Sequence, residues 1–375
     1  MSGLWEPIFG RSTIAATTSD RAWVIAMCDA EAALGTACAE SGLLDAASAQ
    51  RITDACRQVA ETADPAELGR HAAADGNPVI PLVRAIRSVV GATSAPSVHL
   101  GATSQDILDT AAMLVVRRAL PVILESMNAA AEACAVLARE HRDTVMIGRT
   151  LLQQAVPTTF GAVAAGWGEG LDRTTLGLRA ALGGLAVQLG GAAGTLGGWH
   201  PHGPAVRAAF AAELGLADPG TVWHTERSRI AELGSALGAT CGVVGKIATD
   251  VVLLAQTELG EVREAASGGS STMAHKHNPI AAVTARAGAA QAPGVFATLL
   301  AAMPAELQRA AGPWHAEWPA LTALLDTTGG CADRLATSLA GLEVDTGAMA
   351  RNVPRDNIDV GHAGDLVDHY LAGRS

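Results

Sequence analysis

Apolar residues recur at intervals of three and four along most of the chain, which is the spacing that predicts amphipathic helices. The pattern is clearest between Glu226 and Glu264, where two interleaved seven-residue series run side by side. The series are Ile230, Leu237, Val244 and Val251, and Leu233, Thr240, Ile247 and Leu254. Such a seam is typical of a helical bundle. It predicts one helix over residues 226–264, about 58 Å long at about 1.5 Å per residue.

Capping residues mark where other helices begin. Ser19 and Asp20 are placed to start one helix, and Asp45 can start the next. From Asp106 to about Arg142 the pattern is helical again, with Pro121 as an expected kink or break. With no strand-rich region, the sequence predicts an all-α protein.

Prolines and glycines divide this helical chain into three parts. The division predicts an N-terminal helical domain over residues 1–98, a central long-helix bundle over residues 99–345, and a C-terminal helical segment over residues 346–375 with one short helix after Pro354. A helix of about 58 Å is too long for one small domain to bury. We therefore expect further copies of the chain to complete the bundle.

Composition and charge narrow the classes of partner. The 375-residue chain is 49% hydrophobic and 17% charged, has a formal net charge of −11, and carries no basic run. A nucleic-acid surface is therefore excluded, while a small anionic ligand needs only a few local donors. The six cysteines show no metal-ligand spacing, and neither a signal segment nor an unbroken membrane-length apolar stretch is present. We expect a cytoplasmic protein with reduced cysteines, no metal and no membrane partner.

A glycine- and serine-rich stretch, GGSSTMAHKHNP, runs from Gly268 to Pro279. Backbone N–H groups at such a turn can converge on an anion, and Lys276 and Asn278 add a cation and an amide donor. The stretch could also be a plain turn between helices, with Asn-Pro as a helix stop.

Two further polar segments precede apolar runs. In GATSQDILDT, the side chains of Thr103, Ser104 and Gln105 stand at a predicted helix start, which suits either a carboxylate ligand or ordinary capping. In GRTLLQQAVPTTFG, Arg149, Thr150 and Gln153 come before a proline turn. By itself the second segment indicates only a polar loop.

In this order and at these separations, the three segments resemble the fumarase/aspartase superfamily, and GSSTMxHKxNP resembles its signature loop. Four other segments look most like the bacterial 3-carboxy-cis,cis-muconate cycloisomerases: GNPVIPLVRAI, GGAAGTL, WHTERSRIAEL and RAAGPWHAEW. The resemblance implies an elongated helical bundle, a homotetramer with shared active sites, and no cofactor. Since longer relatives carry a further helical domain, it also implies that the C-terminal segment is truncated.

The resemblance assigns roles to particular residues. Ser270, with Ser271 as the alternative, would move a proton at the carbon next to a carboxylate, giving an aci-carboxylate intermediate that Lys276 and Asn278 stabilise. The remaining candidates would bind the carboxylates of the substrate. They are Thr103, Ser104, Gln105, Arg149, Thr150, Gln153, His224 and Arg227.

Two positions depart from the superfamily pattern. Many members have a catalytic histidine where this chain has Leu151, and the signature loop normally has proline where this chain has Ala274. A leucine cannot protonate a leaving group, but a carboxylate leaves as a stable anion and needs no acid. Ala274 removes a backbone constraint and should make loop closure entropically costlier.

Leu151 therefore favours interconversion of 3-carboxy-cis,cis-muconate and 4-carboxymuconolactone, a step of aromatic-acid degradation. The alternatives are a lyase that releases another stable anion, such as nitrite from nitrosuccinate, and an adenylosuccinate-lyase-like C–N lyase. A catalytically weak homologue that keeps the bundle as a scaffold is a third alternative, against which the presence of Ser270, Lys276 and Asn278 counts.

Overall fold

The computed structural model describes residues 3–265, 276–354 and 358–374. Within these residues the regular secondary structure is almost entirely α-helical, with only two small two-stranded sheets, which confirms the predicted all-α class. The helices are α1 (Ala15–Thr18), α2 (Asp20–Glu40), α3 (Ala46–Thr62), α4 (Pro65–Asp75), α5 (Val79–Val90), α6 (Ser104–Glu140), α7 (Phe160–Gly183), α8 (Gly203–Leu214), α9 (Ser228–Leu254), α10 (Ile280–Ala289), α11 (Ala292–Ala302), α12 (Pro313–Leu339), α13 (Thr346–Asn352) and α14 (Ala363–Ala372).

Helices α6, α7, α9 and α12, together with the consecutive pair α10 and α11, form one long bundle. Helices α6, α9 and α12 run in the same direction, because residues at their starts contact each other: Arg227 binds both Asp109 and Glu317. We call this the Thr103 end of the bundle. The opposite end, where α6 and α9 finish, is called the hairpin end.

The interleaved seven-residue series on α9 is confirmed, because every one of its members is buried against the other bundle helices. The predicted length is wrong: the helix ends at Leu254 and does not continue to Glu264. Gly260 adopts a left-handed conformation with φ of 58° and reverses the chain. The Glu261 N–H then donates to the Leu254 carbonyl at 2.9 Å. The heptad spacing is a property of local sequence, whereas this ending depends on the turn.

The predicted helix starts at the N-terminal region are confirmed. The Ser19 hydroxyl accepts from the Ala22 N–H, and the Asp45 carboxylate accepts from the Ser48 N–H at 2.8 Å. Helix α2 carries a buried face that packs on α3, α6 and α8. In the central bundle, α6 continues through the exposed Pro121, so the predicted break is wrong.

The segment predicted as a polar loop is a β-hairpin. Strand β1 (Val145–Thr150) pairs antiparallel with β2 (Gln153–Thr159). Leu151 and Leu152 form its two-residue turn with φ of 52° and 62°, a conformation that non-glycine residues seldom adopt. A second small sheet pairs β3 (Val262–Arg263) with β4 (Glu343–Val344). Both sheets lie at the hairpin end.

The last described helix, α14, packs against α7 and α6. Arg142 binds Asp368 through Nε at 2.8 Å and so ties α14 to the end of α6. Two described helices, α2 and α9, are long and apolar enough to cross a bilayer, but both lie within the packed helical assembly, as core helices do.

Candidate functional site

The Asp106 carboxylate joins three of the segments that the sequence singled out. It accepts from the backbone N–H groups of Thr103 at 3.0 Å, Gly190 at 2.8 Å and Gly191 at 2.9 Å. His224 Nε2 lies 2.7 Å from its Oδ1 atom. The bond to Thr103 closes a capping box at the start of α6. One buried side chain therefore fixes GATSQD, GGAAGTL and WHTERSR relative to one another.

One turn further along α6, Asp109 belongs to a buried ionic cluster. Arg227 Nη1 donates to Asp109 Oδ2 at 2.8 Å, and Arg227 Nε donates to Glu317 Oε1 at 3.0 Å. Trp314 Nε1 donates to Asp109 Oδ1 at 2.9 Å. Burial raises the pKa of the Glu317 carboxyl, with a further contribution from Asp109, although Arg227 acts against both. Burial favours the neutral guanidinium, but Asp109 and Glu317 more than offset it and raise the pKa of Arg227.

The structure changes the interpretation of two predicted substrate ligands. Nε, Nη1 and Nη2 of Arg227 all donate to Asp109, Glu317 or the Trp223 carbonyl, and its side chain is 2% exposed. Gln105 Nε2 donates to Asp109 and to the His224 carbonyl, at 3.1 and 2.8 Å. We therefore propose a structural role for Gln105 and Arg227 in place of direct substrate contact, since each of their side-chain nitrogens already donates to a protein acceptor.

The accessible part of the Thr103 end is formed by Thr103 and Ser104, which are partly exposed at the start of α6. In the part of the chain that the structure describes, no hydrogen bond of the Ser104 hydroxyl is found. His224 is buried, and its Nδ1 atom has no hydrogen-bond partner among the described residues. Thr103 and Ser104 can therefore meet a ligand directly, whereas His224 lies behind them.

His99 was missed by sequence reasoning. Its backbone is left-handed, with φ of 63°, and its Nδ1 atom lies 2.6 Å from the buried Glu31 Oε1. Burial disfavours the charged imidazole, but attraction and hydrogen bonding by Glu31 outweigh this and raise the pKa of His99. A signal was present, because a histidine stands immediately before Leu-Gly-Ala-Thr-Ser.

Gly101, between His99 and Thr103, allows a close contact that no other residue would. Its φ is 73°, and an added Cβ would lie 2.8 Å from the indole of Trp199. The buried Trp199 thus packs directly against the backbone that leads into α6. Any side chain here would displace either the indole or the Thr103 segment.

At the hairpin end, Arg149 is held by the protein. Its Nη1 and Nη2 atoms donate to the two carboxylate oxygens of the buried Glu261 at 2.8 and 2.7 Å. This pair anchors the hairpin to the turn after α9, so Arg149 is also a structural residue in this arrangement. Thr150 and Gln153 pair beside the turn and are exposed, as their proposed role requires.

Ser270, Ser271 and Ala274 lie outside the described residues. Lys276 is exposed and Asn278 partly exposed, just before α10. The buried Glu264 accepts from the Ala281 and Ala282 N–H groups at 3.1 and 2.8 Å, which caps α10. A cavity of about 550 Å³, lined in part by Arg263, Glu264 and His277, opens beside this segment.

The predicted site residues thus form two groups at opposite ends of the bundle. Thr103, Ser104 and His224 lie at the Thr103 end, whereas Thr150 and Gln153 lie at the hairpin end. Helix α6 joins the two ends and has 37 residues. At about 1.5 Å per residue it is about 55 Å long. A small substrate cannot contact both groups within one chain.

Comparison with known proteins gives a consistent result. A family model described as lyase matches residues 8–294. A 3-carboxy-cis,cis-muconate cycloisomerase of Bradyrhizobium diazoefficiens is 43% identical, over 96% of this chain and 80% of that protein. A nitrosuccinate lyase of Streptomyces davaonensis is also 43% identical, over 94% and 77%. The crystal structure of a 3-carboxy-cis,cis-muconate lactonizing enzyme from Pseudomonas putida matches with a TM-score of 0.90 at 36% identity, over 99% of this chain and 88% of that chain.

Proposed function

This chain belongs to the lyase family, and on that premise we propose that it is a cofactor-free enzyme that interconverts 3-carboxy-cis,cis-muconate and 4-carboxymuconolactone. The observation that carries this choice is the pair of apolar residues at the hairpin tip. Leu151 is 97% exposed there, between Thr150 and Gln153, where an acid catalyst would be expected in many relatives. The reaction must therefore proceed without a proton donor at that place.

Lactone chemistry meets this condition. In the lactonising direction a substrate carboxylate oxygen bonds to an alkene carbon, and the alkene electron pair moves onto the neighbouring carbon and its carboxylate. The Ser270 hydroxyl then delivers a proton to that carbon. In the opening direction Ser270 removes the proton and the ring oxygen departs as a carboxylate, which is a stable anion at neutral pH. The leucine at position 151 therefore does not slow this reaction.

The aci-carboxylate intermediate carries two negative charges on one group and needs donors that are already in place. We assign this role to Lys276 and Asn278. Thr103 and Ser104 bind another carboxylate at the start of α6, where the helix dipole also favours an anion. His224, fixed by Asp106, supports this binding segment from behind.

We infer that the working enzyme is a homotetramer whose sites combine the Thr103 end of one copy with the hairpin and signature segment of others. The length of α6, about 55 Å, supports this because it keeps the two groups apart in one chain. The hairpin supports it too. Leu152 is 73% exposed beside Leu151, and both have left-handed backbones, an arrangement that packing against another copy would stabilise.

The buried, unpaired state of all six cysteines fits a reducing compartment. We therefore place the protein in the cytoplasm, with a small polycarboxylate as its substrate and no cofactor.

The test offers the purified protein 3-carboxy-cis,cis-muconate, nitrosuccinate and adenylosuccinate, and compares Ser270→Ala with Ser271→Ala as its matched control. We expect the wild-type protein to turn over the muconate. Ser270→Ala should lose activity at least about a thousandfold, which is on the order of the loss on removing a catalytic nucleophile or base. Ser271→Ala should keep activity near that of the wild type. Loss in Ser271→Ala alone would transfer the role to that serine. Rapid adenylosuccinate cleavage would refute the leaving-group argument.

A nitrosuccinate lyase is the second candidate, favoured by the relative that bears this name at 43% identity. Nitrite is also a stable anion and leaves without an acid. Release of nitrite with a higher kcat/KM than muconate turnover would select this function. The same Ser270 and Thr103–Ser104 assignments would then apply to a smaller substrate.

A further inference from the structure

A cavity of about 300 Å³ lies beside Ser104, between α5 and the start of α6. Its lining combines apolar side chains with basic and hydroxyl groups: Val79, Ile80, Val83, Arg84, Arg87, His99 and Ser104. Ser104, which we assign to carboxylate binding, also lines this cavity, so the two sites adjoin. The size suits a single functional group and the short carbon chain that carries it.

The basic groups differ in how they are already held. Arg84 donates to both oxygens of Asp75, at 2.8 and 3.2 Å. Arg87 donates through Nη2 to the Val98 carbonyl at 3.1 Å, and within the described residues no carboxylate pairs with it. The cavity thus holds a guanidinium whose charge is not neutralised by a neighbour. Such a group favours an anionic ligand.

His99 adds an imidazole, a possible hydrogen-bond donor, to the same lining. It is held by Glu31 on the side away from solvent, and its left-handed backbone is the kind of strain that persists where the surrounding structure enforces it. Val79 and Val83 form the buried apolar wall of the cavity. A carboxylate on a hydrocarbon chain is the ligand that satisfies both kinds of lining.

We propose that this cavity is the subsite for one further carboxylate of the substrate, and that Arg87 selects a tricarboxylate over a dicarboxylate. Arg87 binds the carboxylate, His99 donates to it, and the valine wall contacts the carbon chain, while the single Ser104 hydroxyl hydrogen stays with the neighbouring carboxylate. The inference rests on the proposed function for the identity of the substrate. The ligand class, by contrast, rests only on the cavity.

The experiment measures dissociation constants by calorimetry for two ligands that differ by one carboxylate, propane-1,2,3-tricarboxylate and pentanedioate. The proteins are wild type, Arg87→Gln, Arg87→Lys and the control Arg57→Gln. The exposed Arg57 pairs with Asp54, its one ion-pair partner among the described residues. We expect Arg87→Gln to weaken tricarboxylate binding by about tenfold to a hundredfold, as for loss of a charged hydrogen bond, and to leave pentanedioate binding within about threefold. The dissociation constant of Arg87→Lys for the tricarboxylate should lie between those of wild type and Arg87→Gln, and that of Arg57→Gln should match wild type.

The proposal would be overturned if the wild-type protein bound both ligands equally. It would also be overturned if Arg87→Gln kept the wild-type ratio of the two dissociation constants. Equal weakening of both ligands would also overturn it, because that indicates general electrostatics. Thermal unfolding verifies that each variant is folded, and Arg87→Lys carries the test if Arg87→Gln is not. Failure to turn over muconate would refute the proposed function alone, since these binding ratios need no catalysis.

Discussion

Replacing Arg227 with methionine tests whether this residue is structural or binds substrate. The substitution leaves Asp109 and Glu317 facing each other in the bundle without their shared cation. Removing one partner of a buried ion pair costs about 3–5 kcal/mol, because the remaining charge is buried and uncompensated. A 375-residue chain unfolds with an entropy of about 0.8 kcal/mol/K. The expected fall in Tm is therefore about 4–6 °C.

The matched variant restores charge balance while keeping polar side chains. In Arg227→Met with Asp109→Asn and Glu317→Gln, no charge remains in this buried cluster, and we expect most of the lost Tm to return. Thermal unfolding at one scan rate and one protein concentration measures both Tm values, since association into the proposed homotetramer would make Tm concentration-dependent. An unchanged Tm in Arg227→Met, accompanied by a raised KM, would show that Arg227 binds substrate and that the structural assignment is wrong.

The single variant should also respond to pH. The pKa of Glu317 is already raised by burial in the wild type, and loss of Arg227 raises it further. A carboxyl whose pKa is higher in the folded state contributes stability at low pH that is lost as pH rises through that folded pKa. Arg227→Met should therefore regain part of its Tm deficit on acidification from pH 7 toward 5. A deficit that grows on acidification would contradict the origin we assign to it.

Three further predictions concern the loops around the bundle. Leu151→His should not raise the lactonising kcat, and a clear increase in initial rate would show that an acid is needed at the hairpin tip. His99→Asn keeps a residue that tolerates the left-handed backbone but removes the charge that Glu31 stabilises. The pKa of His99 is raised in the folded protein, so His99 contributes stability below its unfolded pKa of 6.5, and this stability is lost as pH rises through the folded pKa. The Tm difference between wild type and His99→Asn should therefore shrink above pH 6.5. A Tm difference that stays constant with pH would contradict this. Gly101→Ala should lower stability by about 1–3 kcal/mol and raise KM, since its Cβ would meet Trp199; unfolding curves identical to wild type would refute the packing argument.

The sequence predicted the parts of the fold that local spacing determines. The seam from Ile230 to Leu254 was readable because burial repeats along one helix whatever surrounds it. The end of that helix could not be predicted, because it depends on a turn at Gly260 and on the ion pair between Glu261 and Arg149 of the hairpin. The hairpin itself was missed because its turn has two leucines in place of the usual Asn-Gly signal.

The candidate site shows the same limit. Resemblance placed Arg227 among the substrate ligands, but its actual partners stand 118 and 90 residues away in sequence. No local pattern reveals which arginine of a chain finds two buried carboxylates. Thr103 and Ser104 were accessible to reasoning because a helix start can be read from adjacent residues, and the structure leaves them partly exposed.

The separation of the two ends along α6 has a consequence for mixtures of damaged subunits. In the homotetramer that we propose, a variant defective at Ser104 and one defective at Thr150 should each be inactive alone, because every assembled site carries the same defect. Hybrid assemblies formed after mild dissociation and reassociation contain some sites with both intact halves, and these should recover a fraction of wild-type turnover. Dilution to the point of dissociation should abolish that recovery while every polypeptide remains folded.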